Sequence, residues 1–364
     1  MAAMWSGKSW TDEGAKRRRT TLACGGGAFD ELHDELVVSI LADVAATANS
    51  PADLAAATLT CKRFRELGQH KLVLARASPR CVAVRAKGWS DDAHRFLLRC
   101  SDAGNTDASY LLGMILYYCA GNRPAGSELL AQAALRGHAE ALYSMAIIQF
   151  NGSGGSKDSR NLLVAAHLCA HAAGRGHTDA LRELGHCVSD GYGVRKSVSA
   201  GRRLLVQANF NEMCAALRAG AGQGVQRPSH ECLLSDFGCH HVAAGRARAA
   251  NGANEFLAEW FATRPAAVAE AAAGAGLRLC SQPACGRPET RKNEFRRCSA
   301  CGVVVYCSRA CQALHWRAGH RTECANANAA GNANANVQAG AAAGGSNANA
   351  AASGSGNVDA AAAV

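Results

Sequence analysis

The chain has 364 residues, enough for two or three modules, and its 5% aromatic content favours close-packed helices over sheets. Its formal charge of +10 is concentrated at two places. Residues 1–22 hold five basic and two acidic residues, residues 278–324 hold nine and three, and the chain between is near neutral, which excludes a large basic surface for nucleic acid there.

In chain order, residues 1–25 lack hydrophobic periodicity and read as a disordered basic tail. "KRRR" at Lys16–Arg19 reads either as a nuclear import signal or as a solvated basic run. No apolar run reaches the length of a membrane span, so the expected protein is soluble and makes no membrane contact. Seventeen cysteines without a secretory signal place it in a reducing compartment, nucleus or cytoplasm.

Residues 26–78 carry "FDELHDELVVSILADVAATANSPADLAAATLTCKRFRELG". Leu32, Leu36, Ile40 and Val44 recur at helical spacing. A second helix restarts at "NSPAD", with Ser50 as N-cap, Pro51 in the first position and Asp53 in the first turn. Leu54, Ala57, Cys61 and Phe64 form its apolar stripe. By pattern alone this is a helical hairpin that caps the next domain. From about Phe29 to Leu74 the residues resemble an F-box, the helical module that docks on Skp1 and, through it, on a cullin. The resemblance implies a Skp1-binding face made by Leu32, Leu36, Ile40, Leu41, Leu59 and Phe64. His33 stands where that family usually has proline.

Residues 90–210 contain a repeat. "DAGNTDASYLLGMI", "ALRGHAEALYSMAI" and "AGRGHTDALRELGH" align Gly104, Gly137 and Gly176, and likewise Ala108, Ala141 and Ala180. Each copy reads as helix, tight turn, helix, and "DDAHRFLLRCSDAG" begins the series. Such a period predicts an α-solenoid with an extended protein-binding face. The copies are similar to Sel1-like repeats, including the loop Asp190–Val194. "GSGGS" at 152–156 lacks the lysine and hydroxyl residue of a phosphate loop, and no nucleophile or metalloprotease motif accompanies it.

Residues 211–279 read as a linker with one short helix, "NEFLAEWFA", whose Phe256, Trp260 and Phe261 form a packing face. His230, Cys232, Cys239, His240 and His241 lie close in sequence but lack a partner pair at metal-site spacing.

From Cys280 the spacing becomes specific: Cys280-x4-Cys285, Cys298-x2-Cys301, Cys307-x3-Cys311 and His320-x3-Cys324. Four close pairs of thiolate and imidazole donors suffice for two closed tetrahedral zinc sites. A disulfide framework is the alternative, and His315 is a competing donor that reads as surface. The run "YCSRACQALHW", Tyr306–Trp316, makes residues 280–324 resemble a MYND-type zinc finger. The resemblance implies interleaved sites: Cys280, Cys285, Cys307 and Cys311 on one zinc, Cys298, Cys301, His320 and Cys324 on the other. The first pair is x4 here, where x2 is common in that family. It also implies that Gln312 and Trp316, one helical turn apart, contact proline-rich peptides. Closed sites make both zincs structural. Residues 325–364 are an Ala/Asn/Gly-rich tail that reads as disordered.

The expected fold is thus mainly α: F-box helices, a Sel1-like solenoid and a small zinc-stabilised finger between disordered ends. That order resembles plant F-box proteins carrying a MYND finger. It implies a non-catalytic substrate-recognition adaptor of an SCF-type ubiquitin ligase, with solenoid and finger as protein-interaction surfaces. The rival is a transcriptional or chromatin co-regulator scaffold that works through the finger. A MYND-associated methyltransferase is excluded because no cofactor-binding domain is recognisable.

Overall fold

The computed structural model describes residues 29, 31–220, 251–264 and 277–324. Lys16–Arg19, the histidines and cysteines between 230 and 241, and the tail from 325 lie outside the described residues. The described residues through His320 belong to one compact unit, and Arg321–Cys324 belong to another. No helix among the described residues is long and apolar enough to cross a membrane.

Four short helices open the first unit: α1 (Asp34–Thr47), α2 (Pro51–Thr58), α3 (Lys62–Leu67) and α4 (Lys71–Arg76). Helix α1 is apolar on two sides. It buries Val37, Val38, Leu41, Ala42 and Ala45, with α4 and its buried Val73 and Leu74 against it. The stripe noted in the sequence, Leu32, Leu36, Ile40 and Val44, is the other side, with Leu36 and Ile40 exposed. A helix covered by one layer can bury only one of two apolar faces.

At the head of α2 the Asn49 and Ser50 amides donate to Asp53 Oδ2 at 2.7 and 3.1 Å. These bonds, the Asn49 one first, lower the Asp53 pKa. The single second helix expected through Phe64 is instead two helices. Thr58 and Thr60 hydroxyls donate back to the Leu54 and Ala57 carbonyls at 3.0 and 2.8 Å, and Cys61 Sγ caps α3 by accepting from the Phe64 amide. Arg63 of α3 then donates to Asp34 and to the Phe29 carbonyl, fixing the chain that enters α1.

The repeats form seven helices: α5 (Asp91–Asp102), α6 (Thr106–Tyr118), α7 (Arg123–Leu135), α8 (Ala139–Asn151), α9 (Leu162–Gly174), α10 (Thr178–Asp190) and α11 (Val198–Gly220). Gly104, Gly137 and Gly176 adopt φ of 102°, 85° and 83°, the left-handed conformation that lets one helix reverse into the next. The following residue, Asn105, His138 or His177, caps the next helix by accepting from the amide of Ala108, Ala141 or Ala180 at 2.9–3.1 Å. Each capping histidine also reaches back one repeat. His138 Nε2 lies 3.2 Å from Asp107 and its ring stacks on Tyr110; His177 Nε2 lies 3.0 Å from Glu140 and its ring packs on Tyr143. Successive hairpins also close on glycine: a methyl group at Gly126 would lie 2.6 Å from the Tyr117 amide. Helix α11 runs past the boundary expected at 210 because Asn209 and Glu212 grip the guanidinium of Arg182 in α10.

Helix α12 (Gly252–Thr263), expected within a linker, is part of the solenoid's packing. Phe256 meets Trp89 edge to face, and Asn251 donates to Tyr110 Oη at 3.2 Å and Glu140 at 2.8 Å. After it come the two-residue antiparallel strands β1 (Arg296–Arg297) and β2 (Val305–Tyr306), then helix α13 (Arg309–His315).

Candidate metal centre

Two tight turns and one helix present the sulfur donors. In the first turn Cys280 N–H donates to the Arg287 carbonyl, Cys285 N–H donates to the Gln282 carbonyl, and Gly286 takes φ 68°. The x4 spacing is therefore a closed loop that points both thiols inward. In the second, Cys298 N–H bonds the Val304 carbonyl and Gly302 N–H bonds the Cys298 carbonyl, at the end of the β1–β2 hairpin. Strand β2 runs directly into Cys307. Ser308 caps α13 by accepting from the Cys311 amide at 3.0 Å, so Cys311 lies one turn from Cys307.

Cys280, Cys285, Cys307 and Cys311 are all buried, with their Sγ atoms within 4.8 Å of one another. The Cys285–Cys307 and Cys307–Cys311 separations are both 3.6 Å. Tetrahedral zinc–thiolate bonds give about 3.8 Å between sulfurs, so the donor set fits the ion. Cys298, Cys301 and His320 form the second group, with His320 Nε2 3.6 Å from Cys301 Sγ; Cys324, itself buried, is its fourth donor. The two groups draw on alternate pairs of the sequence. His315 is in neither: its Nδ1 lies 2.9 Å from the Tyr306 hydroxyl, and its ring stacks on His320. With these donors the finger holds two structural zinc ions. Four thiolates around Zn²⁺ leave a charge of −2, and the fully buried Arg287 guanidinium, 3.6 Å from Cys285 Sγ, offsets part of it.

The finger is not a free module. Arg287 donates to Ser144 Oγ at 2.8 Å, Tyr143 Oη bonds Ser308 Oγ at 3.2 Å, and Asn151 Nδ2 donates to the Cys307 carbonyl at 2.9 Å, all in the interior. Glu183 of α10 accepts from the Arg309 and Ala310 amides at 2.9 and 3.1 Å, at the positive end of α13. Burial raises the Glu183 pKa against those bonds. Arg317 reaches Glu212 at 2.7 Å. Burial alone would raise the Glu212 carboxyl, but Arg182 and then Arg317 outweigh it and hold it at about 2.

Sequence reasoning missed these docking residues, although the repeat carried a signal for them. The alignment column that holds Leu111 in the first copy holds Ser144 and Glu183 in the next two, and all three are buried. Polar residues in a buried column need partners, and here the finger provides them.

The other residues singled out in the sequence separate into two environments. Leu36, Ile40 and Leu59 are 52%, 39% and 55% exposed, and Leu32 and Phe64 are half-buried, with Phe64 edge-on to Phe29. Leu41 is 1% exposed and fills the interior of its own module. Gln312 is half-buried and Trp316 is 37% exposed, its ring 5.8 Å from that of His320.

Residues 280–324 match the family model described as MYND finger, and residues 82–176 match the one described as plant tetratrico peptide repeats. F-box protein At1g67340 of Arabidopsis thaliana is 49% identical over 338 residues, 86% of this chain and 87% of that protein. F-box protein At5g50450 of the same plant is 51% identical over 296 residues, 81% of this chain and 84% of its own length. Among solved structures, a Sel1 repeat protein from Oxalobacter formigenes aligns with a TM-score of 0.36 at 15% identity, over 51% of this chain and 87% of that one.

Proposed function

The chain belongs to the family of these two F-box proteins, and on that premise we propose that it is the non-catalytic substrate-recognition adaptor of an SCF-type ubiquitin ligase. One observation carries the reading: Leu36, Ile40 and Leu59 stay exposed on a module whose interior is already filled by Val37, Val38, Leu41 and Ala42. Large apolar side chains left outside a complete core suit a protein partner, and a Skp1-like protein, linked to a cullin, is the partner for which an F-box is built. The repeats and finger then hold the target, so the chain works by raising the target's effective concentration near a charged E2 rather than by bond chemistry.

The test is co-purification of Skp1 with the full chain. Leu36→Ala with Ile40→Ala removes two exposed anchors and should weaken capture by about tenfold or more while the fold is kept. Undiminished capture by a folded double variant sinks the adaptor reading and leaves the co-regulator scaffold. Within the same proposal, Gln312 and Trp316 form a subsite for proline-rich segments, supported by their shared face at the end of α13 and the exposure of the indole. We place the protein in cytoplasm or nucleus, a reading supported by the free thiols of Cys81, Cys100, Cys169 and Cys187.

A further inference from the structure

Two equivalent solenoid loops and the finger hairpin meet along one edge of the first unit. Gly152 and Gly191 end α8 and α10 in the left-handed conformation, with φ of 61° and 77°. In the loops that follow, Arg160 packs against Gly152 and Lys196 against Gly191, so adjacent repeats present a cation at corresponding places. Arg195 lies beside Lys196. The finger is locked to these loops: Arg291 donates to the Gly152 and Asn151 carbonyls, and Arg309 pairs with Asp190. Its strand β1 thereby brings Arg296 over the ring of Tyr192, 5.4 Å from the centroid, with Arg297 next to it.

Arg160, Arg195, Lys196, Arg296 and Arg297 are all exposed, and among the described residues none of them is in an ion pair. Most carboxylates at this edge are already engaged. Asp190 holds Arg309, Glu183 holds the α13 amides, and Glu294 accepts from Thr290 and Ser153. Asp158 is left to oppose the five cations.

We infer that this edge is a docking surface for an acidic peptide segment of a partner protein. Guanidinium groups on a fixed strand and on glycine-anchored loops are suited to bidentate pairing with carboxylate or phosphate groups. A single-stranded nucleic acid suits the site less. It needs a bare aromatic face for base stacking. Tyr192 is covered by Arg296 and Arg309 and stacked on Phe150 at 5.7 Å. The cations come from both solenoid and finger, so the surface exists only while the two are joined. The inference deepens the adaptor reading, on which it rests only for regarding the bound segment as part of a target.

The experiment is fluorescence anisotropy with the zinc-loaded full chain. Four probes are compared: a labelled Asp/Glu-rich peptide, the same peptide with phosphoserines in place of its glutamates, a neutral Ser/Gly peptide and a single-stranded RNA. Preference for either acidic peptide over the neutral one is expected, with about tenfold or greater loss in a triple variant, Arg195→Glu, Lys196→Glu, Arg297→Glu, and weakening with salt. Zinc content and Skp1 capture should stay unchanged in that variant, which separates failure of this surface from failure of the adaptor reading. Equal binding of the neutral peptide, tighter binding of RNA, or an unaffected triple variant overturns the inference. Should the variant misfold, a photoreactive acidic peptide on the wild-type chain decides the matter. Cross-links at 191–197 and 291–297 support the surface, and cross-links confined to other segments refute it.

Discussion

The N-terminal helices and the finger use opposite means to complete small domains. The helices bury an aliphatic interior and leave Leu36, Ile40 and Leu59 outside. The finger has little apolar interior and turns polar groups inward, toward Tyr143, Ser144, Asn151 and Glu183 of the solenoid. Exposed apolar surface leaves the N-terminal module open to contact with another protein. Buried hydrogen bonds to the solenoid mark one already docked within the same chain. The finger is therefore docked along one face of the solenoid, on α8 and α10, and its outer surfaces remain for other proteins.

The largest expected effect tests the finger's half of that contrast. Each structural zinc contributes on the order of 10 kcal/mol to folding its site. Cys307→Ser removes a donor from the first group and also disturbs the carbonyl that Asn151 bonds. It should lower the zinc content of the full chain from two and speed amide exchange in α8 and α10, while α1 to α4 exchange as before. Protection of α8 and α10 that survives loss of zinc would mean that the solenoid does not depend on the docked finger, and the contrast would fail.

Much of this was legible in the sequence. The donor spacing pointed to two sites because metal chemistry admits few alternatives at four close pairs, and the aligned glycines located the repeat turns because a tight reversal favours a residue free to take positive φ. What stayed hidden was non-local. Nothing in α1 says which of its two apolar faces meets α4, and the Thr58–Cys61 break depends on hydroxyls that bond back to their own helix. Docking of the finger depends on Ser144 and Glu183, polar residues in a repeat column whose burial depends on how neighbouring elements pack.

A smaller effect asks whether the finger keeps one open apolar feature of its own. Trp316 both borders His320 and exposes 37% of its surface. Titration of the zinc-loaded chain with a panel of proline-rich peptides should shift the Trp316 indole signal, and Gln312→Ala should weaken that binding by several-fold, about the loss of one hydrogen bond. An indole that stays put across the panel makes Trp316 simply a cover for the second zinc site, and the finger would then be closed on that side.

The smallest expected effect concerns the N-terminal module, where the contrast predicts stability that can be raised without touching the open face. His33 is the N-cap of α1, with φ −64° and ψ 147°, and its side chain makes no capping bond. That φ is the one a proline ring imposes, and position and ψ are those proline tolerates just before a helix. The imidazole is exposed, so replacing it removes no buried contact. His33→Pro should therefore act mainly by narrowing the unfolded ensemble, raising stability by about 0.4–1 kcal/mol. The measurement is chemical denaturation monitored by exchange of α1 amides, together with Skp1 capture by the same variant. Because Leu36 and Ile40 lie on the turns that follow and keep their exposure, capture should be equal to or slightly tighter than that of wild type. Lower stability would show that the helix entry strains against proline despite its angles. Raised stability with lost capture would show that the imidazole itself belongs to the docking face, which would extend that face back past the start of α1.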